Sequence, residues 1–90
     1  MNKDVRDVEC LGGTRLRLTF EGDEYRDVDV RQLVPFDGVF QPLNDPSFFR
    51  QVTVNPDVGT IVWPNGADVC PDVLYERSRP ARTHSTEIRP

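Results

Sequence analysis

Apolar and polar residues alternate along residues 14–20, where Leu16, Leu18 and Phe20 fall on one face of an extended chain. This period of two predicts a strand with one buried and one solvated face. Glycines at positions 12, 13 and 22 mark turns on both sides, because glycine adopts positive φ at low cost. The pattern therefore predicts partner strands at residues 5–10 and 24–30, joined to the first by antiparallel hairpins.

The same pattern predicts the register of the second hairpin. Its two valines must face the core together with the leucines opposite, because a one-residue slip would expose the whole apolar set. This parity requires an odd loop of three or five residues around Gly22, and it places two aspartates beside two arginines on the outer face. The residues concerned are Leu16, Leu18, Val28 and Val30 on the core face, and Arg15, Arg17, Asp27 and Asp29 on the outer face.

The middle of the chain predicts short helical segments and a loop. Residues 30–34 fit a single helical turn, and residues 36–43 fit a loop whose apolar side chains fold back onto the sheet. Asp45 followed by Pro46 is typical of a helix start, with the aspartate as N-cap and the proline at the first helical position. A brief helix is therefore expected at residues 46–51, anchored by one of its two phenylalanines.

The C-terminal half predicts another hairpin and a second helix. Residues 52–55 and 59–63 are rich in β-branched and apolar side chains and flank a Pro-Asp turn signal. A Pro-Asn-Gly turn ends the second of these strands. Residues 71–77 then fit a helix, with Pro71 and Asp72 in its first turn, where both are favoured.

Together these elements predict one small α+β domain at residues 1–78, in the order βββ-α-ββ-α, with antiparallel hairpins and two short helices. A chain of 90 residues has room for one domain only. Residues 79–90 have no hydrophobic periodicity and contain two prolines, so a disordered C-terminal tail is expected there.

Composition favours a cytoplasmic protein. Apolar residues make up 37% of the chain, yet no run approaches the roughly 20 residues of a membrane span. The N-terminus lacks the apolar core of a signal peptide. Cys10 and Cys70 are 60 residues apart with no second cysteine or histidine at metal-ligand spacing, so two reduced and buried thiols are expected rather than a disulfide.

Charge is unevenly distributed. The net charge is −4, but residues 1–76 carry 7 basic and 14 acidic side chains, whereas residues 77–90 carry four arginines and one glutamate. An acidic body repels phosphate backbones, which weighs against direct nucleic-acid binding by the folded part. The basic tail offers a weak footprint for an anionic partner.

Carboxylate pairs are the only groups with the composition of a catalytic or metal site, and each has a structural interpretation. Asp27 and Asp29 share one strand face, where neighbouring arginines keep both ionised. Asp68, Asp72 and Glu76 recur every four residues, a spacing equally suited to capping and solubility. The one histidine, His84, lies in the expected tail without an orienting partner. No catalytic residue, metal site or cofactor is therefore predicted.

The tryptophan at the end of the fifth strand is the sharpest local signal. Trp63 precedes Pro64, Asn65 and Gly66, and it is the only tryptophan of the chain. It is either the centre of a small core, with its N–H bonded to a loop carbonyl, or an exposed anchor for a partner. The first strand, residues 5–10, is a second candidate for partner binding, because a sheet edge presents unpaired backbone groups.

Several segments together resemble a known family. They are VDV at residues 28–30, GVFQPLNDPSFF at residues 38–49, and VTVNPDVGTIVWPNGADVCPDVLY at residues 52–75, of which WPNGAD followed by CPDVLY is the most distinctive. The chain resembles the prokaryotic domain of unknown function 2442 family over about residues 5–76. Members of that family occur alone or joined to a helix-turn-helix domain, and some are encoded beside a second small protein in a toxin–antitoxin-like arrangement.

Three functions follow as hypotheses. The resemblance and the lack of catalytic groups favour a non-enzymatic protein-interaction module, the partner or antitoxin-like component of a two-protein system. The alternatives are a DNA-associated regulator, acting through a partner or the basic tail, and a small metal-dependent enzyme. The expected interaction or signature residues are Trp63, Pro64, Asn65, Gly66, Asp68, Asp29 and Tyr75. The expected partner is another small protein, with self-association also open and no membrane contact.

Overall fold

The computed structural model describes residues 3–81, in which the larger of two sheets is antiparallel and has four strands. Strands β1 (Val5–Gly12), β2 (Arg15–Phe20) and β3 (Glu24–Asp29) follow one another in sequence. A fourth strand, formed near the C-terminus, pairs with β3 to give the order β1-β2-β3-β6. The three N-terminal strands confirm the alternating pattern from which they were predicted.

The predicted register is confirmed. Leu16 pairs with Val28 and Phe20 pairs with Glu24, which leaves a three-residue loop at residues 21–23. Gly22 and Asp23 both have positive φ in this loop, 83° and 61°. The leucines of β2 are fully buried and Val28 is 5% exposed, so the burial of this apolar set is what selects the register.

The connection from β3 to the second half of the chain contains more helix than predicted. A 3₁₀ turn at Val30–Gln32 lies where a helical turn was expected. The predicted loop is wrong in part, because a 3₁₀ helix spans Gly38–Asn44 and buries Leu43. Pro42 lies inside it, which a short 3₁₀ helix tolerates more readily than a long α-helix because it has few internal hydrogen bonds to lose.

Helix α1 (Pro46–Phe49) starts as predicted and ends two residues earlier. The Asp45 carboxylate accepts a hydrogen bond from the Ser47 amide at 2.9 Å, which is the expected N-cap. Of the two phenylalanines, Phe49 is the anchor, because it is 1% exposed.

A second, two-stranded sheet and a second helix follow. Strands β4 (Thr53–Asn55) and β5 (Thr60–Val62) pair antiparallel around the predicted turn. Helix α2 (Pro71–Arg77) has the predicted bounds and begins without a side-chain cap from Cys70. The fold is thus the small α+β domain expected from the sequence, with antiparallel strands and two short helices.

The structure adds one strand that the sequence pattern did not predict. Strand β6 (Arg79–Pro80) pairs with Arg26 and Asp27 of β3, and the Ala81 amide donates to the Tyr25 carbonyl at 2.9 Å. The described chain therefore continues beyond the predicted boundary at Ser78. Two residues are too few to show an alternating pattern, and a proline is allowed only at such an edge. The remainder of the predicted tail, residues 82–90, lies outside the described residues.

The core lies between the inner face of the four-stranded sheet and the elements that follow β3. Its largest side chains are Trp63, Phe20 and Phe49, each 2% exposed or less, and the rings of Phe49 and Trp63 pack with centroids 5.8 Å apart. Burying a side chain of this kind contributes about 1.5–3 kcal/mol. Within residues 3–81 no helix is long and apolar enough to span a membrane.

Candidate interaction surface

The signature turn, residues 63–68, is anchored in the core by Trp63 and Ala67, while its other four residues are exposed. The Trp63 amide donates to the Ala67 carbonyl, and the Gly66 amide donates to the Trp63 carbonyl, both at 2.9 Å. Gly66 has φ 89°, so the loop has the features of a type I turn followed by a glycine bulge. The indole N–H donates to the Phe49 carbonyl at 3.0 Å. Of the two interpretations of Trp63, the structure has the core one.

The other residues of this turn serve the fold. The Asn65 side chain donates to the Val39 carbonyl at 2.9 Å and accepts from the Ala67 amide at 3.1 Å. It therefore holds the turn against the 3₁₀ helix. Pro64 is exposed at the first corner of the turn, and Asp68 is exposed where the chain bridges back to Val62.

Asp29 and Tyr75, the two remaining predicted site residues, lie in different places. The Asp29 carboxylate accepts hydrogen bonds from the Thr14 hydroxyl at 2.6 Å and the Arg31 amide at 3.1 Å, so it caps the first 3₁₀ turn. Tyr75 packs edge-on against Phe20, with ring centroids 5.1 Å apart. The structure does not bring these two residues together with the signature turn.

Tyr75 belongs to a polar group that joins helix α2 to the inner face of the sheet, here called the Glu24 cluster: Lys3, Glu24, Arg26, Tyr75 and Ser78. The Tyr75 hydroxyl donates to the Glu24 carboxylate at 2.9 Å, and Lys3 Nζ donates to it at 2.8 Å. Arg26 lies over the Tyr75 ring at 4.4 Å and donates to the Ser78 hydroxyl and carbonyl, both at 2.7 Å. The polar groups of the Glu24 cluster bond to one another, so the cluster stabilises the packing of helix α2 on the sheet.

Electrostatics in this cluster favour the ionised carboxylate. The hydrogen bond from Lys3, then those from Tyr75 and Arg26, lower the pKa of Glu24 from 4.5 to about 2. The same bond to Glu24 raises the pKa of Lys3. Both pKa shifts favour the ionised forms of Lys3 and Glu24. A catalytic acid or base that works near neutral pH instead needs a pKa close to that pH.

The outer face of the four-stranded sheet is different, because charged side chains run across all of it. Glu9 of β1, Arg17 of β2, Asp27 of β3 and Arg79 of β6 stand opposite one another in successive strands. Arg17 Nε lies 2.8 Å from Asp27 Oδ1, and its second nitrogen lies 3.2 Å from Oδ2. One predicted ion pair is thus confirmed, and its bond to Asp27 raises the pKa of Arg17.

A groove of about 570 Å³ lies on this face, between β2–β3 and the chain leaving α2. Four arginines line it, together with two aspartates and the apolar side chains of Leu33 and Pro80. We call it the arginine groove: Arg15, Arg17, Asp27, Asp29, Leu33, Arg77, Arg79 and Pro80. It is the place where the outer arginines predicted on β2 meet arginines from the far end of the chain.

The arginines of the groove are not equally engaged. Arg17 is held by Asp27, whereas Arg15, Arg77 and Arg79 are exposed. Within residues 3–81 the guanidinium groups of these three make no hydrogen bond or ion pair. The positive charges of these three arginines therefore remain available to an anionic group.

The lining of the groove has a net positive charge, whereas the rest of the described domain has a net negative charge. Its lining carries four arginines against two aspartates, whereas the other described residues carry five basic and 12 acidic side chains. Because unlike charges attract, anionic groups are drawn to this face in preference to the acidic surface around it.

The β1 edge is less open than predicted. β1 is an edge strand of the four-stranded sheet, but its first amide, that of Val5, donates to the Gly59 carbonyl at 2.9 Å. The rest of the strand carries exposed Arg6, Asp7 and Glu9, which discourage indiscriminate strand addition.

The expectation for the cysteines is wrong in part. Cys10 and Cys70 are free, but only Cys10 is partly buried, and Cys70 is exposed at the start of α2. Asp68 precedes α2 and is not on a helical face with Asp72 and Glu76. No group of three possible metal ligands occurs among residues 3–81. His84 lies outside the described residues.

Comparison with known proteins identifies the family. The model for "Protein of unknown function (DUF2442)" matches residues 5–80, which includes the three N-terminal strands, the signature turn, α2 and β6. The chain belongs to this family. Neither the curated proteins nor the solved structures contain a match.

The arginine groove is the feature that sequence reasoning missed in this family member. Arg15 and Arg17 were expected on the outer face, but Arg77 and Arg79 were treated as the end of a helix and the start of a tail. Only the pairing of β6 with β3 brings Arg79 opposite Asp27. The available signal was the local excess of arginine after Glu76 in an otherwise acidic chain.

Proposed function

We propose that this DUF2442 domain is a non-enzymatic, cytoplasmic module that binds a second small protein, as an antitoxin-like component of a two-protein system. The observation that carries the proposal is the arginine groove, where three exposed arginines lie beside the apolar side chains of Leu33 and Pro80. Arginine is enriched at protein interfaces because its planar group pairs with carboxylates and packs on apolar surface at the same time. Trp63, by contrast, is buried in the core.

The partner surface that fits this groove is acidic. The arginine groove attracts carboxylates, and the acidic remainder of the domain repels any partner surface that is acidic over a larger area. A small protein with one acidic segment next to a basic or neutral surface meets both conditions. The gene-neighbour arrangement implied by the family resemblance supplies a natural candidate.

The experiment is a tagged pull-down from the native host, followed by binding measurements on the purified pair. The full chain is compared with Arg15→Glu in the groove and with Arg6→Glu, a matched charge reversal on β1 outside it. We expect Arg15→Glu to weaken the pair about tenfold or more, which corresponds to about 1.4 kcal/mol, and Arg6→Glu to leave it nearly unchanged. A clean tag, or equal binding by both variants, contradicts the proposal.

A DNA-associated regulator is the second candidate, because the same groove concentrates guanidinium groups that also bind phosphate. Its distinguishing property is salt dependence, since affinity for DNA falls steeply as counterions are added. Binding of a duplex DNA probe that weakens with salt and is lost in Arg77→Glu, at an exposed arginine of the groove, supports this candidate. Salt-independent or absent DNA binding leaves the protein partner as the function.

A further inference from the structure

A second cavity lies on the other side of the sheet from the arginine groove. It has a volume of about 510 Å³ and opens between the β1–β2 turn and the segment that contains α1. Volumes of 300–1,000 Å³ are typical of small-molecule sites, which are mostly apolar with a few fixed polar groups. We call it the α1 cavity, and its role is independent of the proposed function.

The wall of the α1 cavity is apolar. Leu11, Pro46, Leu43 and Phe49 are among its lining residues, and the last two are 2% and 1% exposed, so Leu11 and Pro46 present most of this apolar surface. Cys10 adds a free, partly buried thiol, and burial raises the pKa of that thiol, so it is neutral near pH 7. A ligand body that fills this space is therefore a hydrocarbon or an aromatic ring.

Two arginines supply the charge at the cavity. Arg31 lies over the Phe36 ring at 4.3 Å, and its guanidinium donates to the Asn44 side chain at 3.4 Å. Asn44 is held in turn by the carbonyls of Phe36 and Gln41, at 3.1 and 2.9 Å. These contacts favour one placement of the exposed Arg31 side chain at the cavity, and restricting a side chain before binding lowers the entropy cost of binding.

Arg50 is the second arginine at the cavity. It is exposed, and its guanidinium makes no hydrogen bond or ion pair within residues 3–81. No aspartate or glutamate lines the cavity, although the chain contains 15 acidic residues. The cavity therefore combines two arginines and apolar side chains with no acidic residue in its lining.

We propose that the α1 cavity binds a small amphipathic carboxylate, with its apolar body against Leu11 and Pro46 and its carboxylate at Arg31 and Arg50. Charge-assisted hydrogen bonds from guanidinium to carboxylate supply the orientation, and burial of the apolar body supplies the affinity. An alkylammonium ion or an uncharged alcohol of the same chain length cannot form the charge-assisted hydrogen bonds between guanidinium and carboxylate.

The test uses octanoate as the probe, with octylammonium and octanol as matched controls, and follows the backbone amides of the full chain by NMR. We expect octanoate to shift amides around residues 10–14 and 43–50 and to bind more tightly than either control. Arg50→Gln weakens octanoate binding about tenfold, whereas Arg6→Gln leaves it unchanged. Equal binding of the three probes, no binding of octanoate, or no effect of Arg50→Gln overturns the proposal.

A second readout locates the ligand without changing the arginines. In a Cys70→Ser variant, Cys10 is the only thiol of the chain, and its alkylation by N-ethylmaleimide is measured with and without octanoate. Octanoate in the cavity slows alkylation, while octylammonium does not. Unchanged alkylation at saturating octanoate contradicts the placement. Arg15→Glu, in the arginine groove, leaves this protection intact whether or not the protein partner exists.

Discussion

The signature turn and the arginine groove differ in how their side chains are engaged. In the turn, Trp63 is 2% exposed, and both its indole and the Asn65 side chain donate to main-chain carbonyls. In the groove, three of four guanidinium groups are exposed and make no bond within residues 3–81. Trp63 and the Asn65 side chain therefore support the fold, whereas the unbonded arginines lie at ordinary surface positions of β2, α2 and β6.

This difference has a physical origin. A tight turn against a small core needs one indole, one amide and one glycine in fixed places, so it produces an unusual run of residues. A binding face needs only charged side chains at a suitable spacing, and any surface strand provides them. Substitutions in the two regions should therefore affect different quantities: the free energy of unfolding for the turn, and the affinity for a partner for the groove.

The largest expected effect on stability is at Trp63. Trp63→Ala removes the side chain that packs against Phe49 and the indole bond to the Phe49 carbonyl. We expect a loss of about 3–5 kcal/mol in the free energy of unfolding, measured by urea denaturation. For a small domain that loss is a large fraction of the total stability.

Trp63→Phe separates the two contributions. It keeps a ring in the core but leaves the Phe49 carbonyl without its donor, and it should cost less than the alanine variant. If both variants unfold at the urea concentration of the wild type, Trp63 is not the centre of the core and the contrast with the groove fails.

The strands, the register and both α-helices could be predicted because local rules determine them. Alternation around Leu16 and Leu18 selects the register, and Asp45 with Pro46 starts a helix whatever the tertiary context. The 3₁₀ helix at Gly38–Asn44 and strand β6 could not be predicted, because neither has a local sequence pattern. Packing of Leu43 and pairing with β3 decide them.

The candidate site was predicted least well, for the same reason. Arg15 and Arg79 are 64 residues apart, and only the sheet order brings them to one face. Burial of Trp63 followed from the small size of the domain, since a core this small needs its only indole. Sequence thus predicts positions that serve the local fold better than positions that meet through topology.

A smaller effect is expected at the glycine of the signature turn. Gly66 has φ 89°, and a Cβ added there meets no atom within 4 Å, so the cost of Gly66→Ala is conformational rather than steric crowding by neighbours. Left-handed backbone costs an alanine about 1–2 kcal/mol, and thermal denaturation should show that loss. Gly66→Asn is the control, because asparagine tolerates this conformation better. Equal stability of all three proteins would show that the turn relaxes.

The Glu24 cluster predicts a pH dependence. The folded pKa of Glu24 is about 2, below the ordinary value of 4.5, so its contribution is fully present above pH 4.5 and is lost as the pH falls towards 2. The urea midpoint of the wild type should therefore decline through this window. Glu24→Gln should flatten that decline and lower the midpoint at pH 7, while Glu21→Gln, at an exposed neighbour, should do neither. If the urea midpoints of the wild type and both variants change with pH in the same way, Glu24 is not the group responsible.

The smallest effect on stability is expected in the groove. Arg15 is exposed, and its guanidinium makes no bond within residues 3–81, so Arg15→Glu should change the free energy of unfolding by no more than about 0.5 kcal/mol. The urea midpoint of this variant should match that of Arg6→Glu. The same variant is expected to lose most of its affinity for the protein partner.

This pairing of results is what separates a binding face from a structural one. A residue that supports the fold lowers stability and affinity together, because the unfolded chain does not bind. A residue that only meets a partner lowers affinity alone. If Arg15→Glu destabilises the domain as much as Gly66→Ala does, the charges of the outer face stabilise the sheet. The groove would then belong to the same class as the signature turn, and the partner site would have to lie elsewhere.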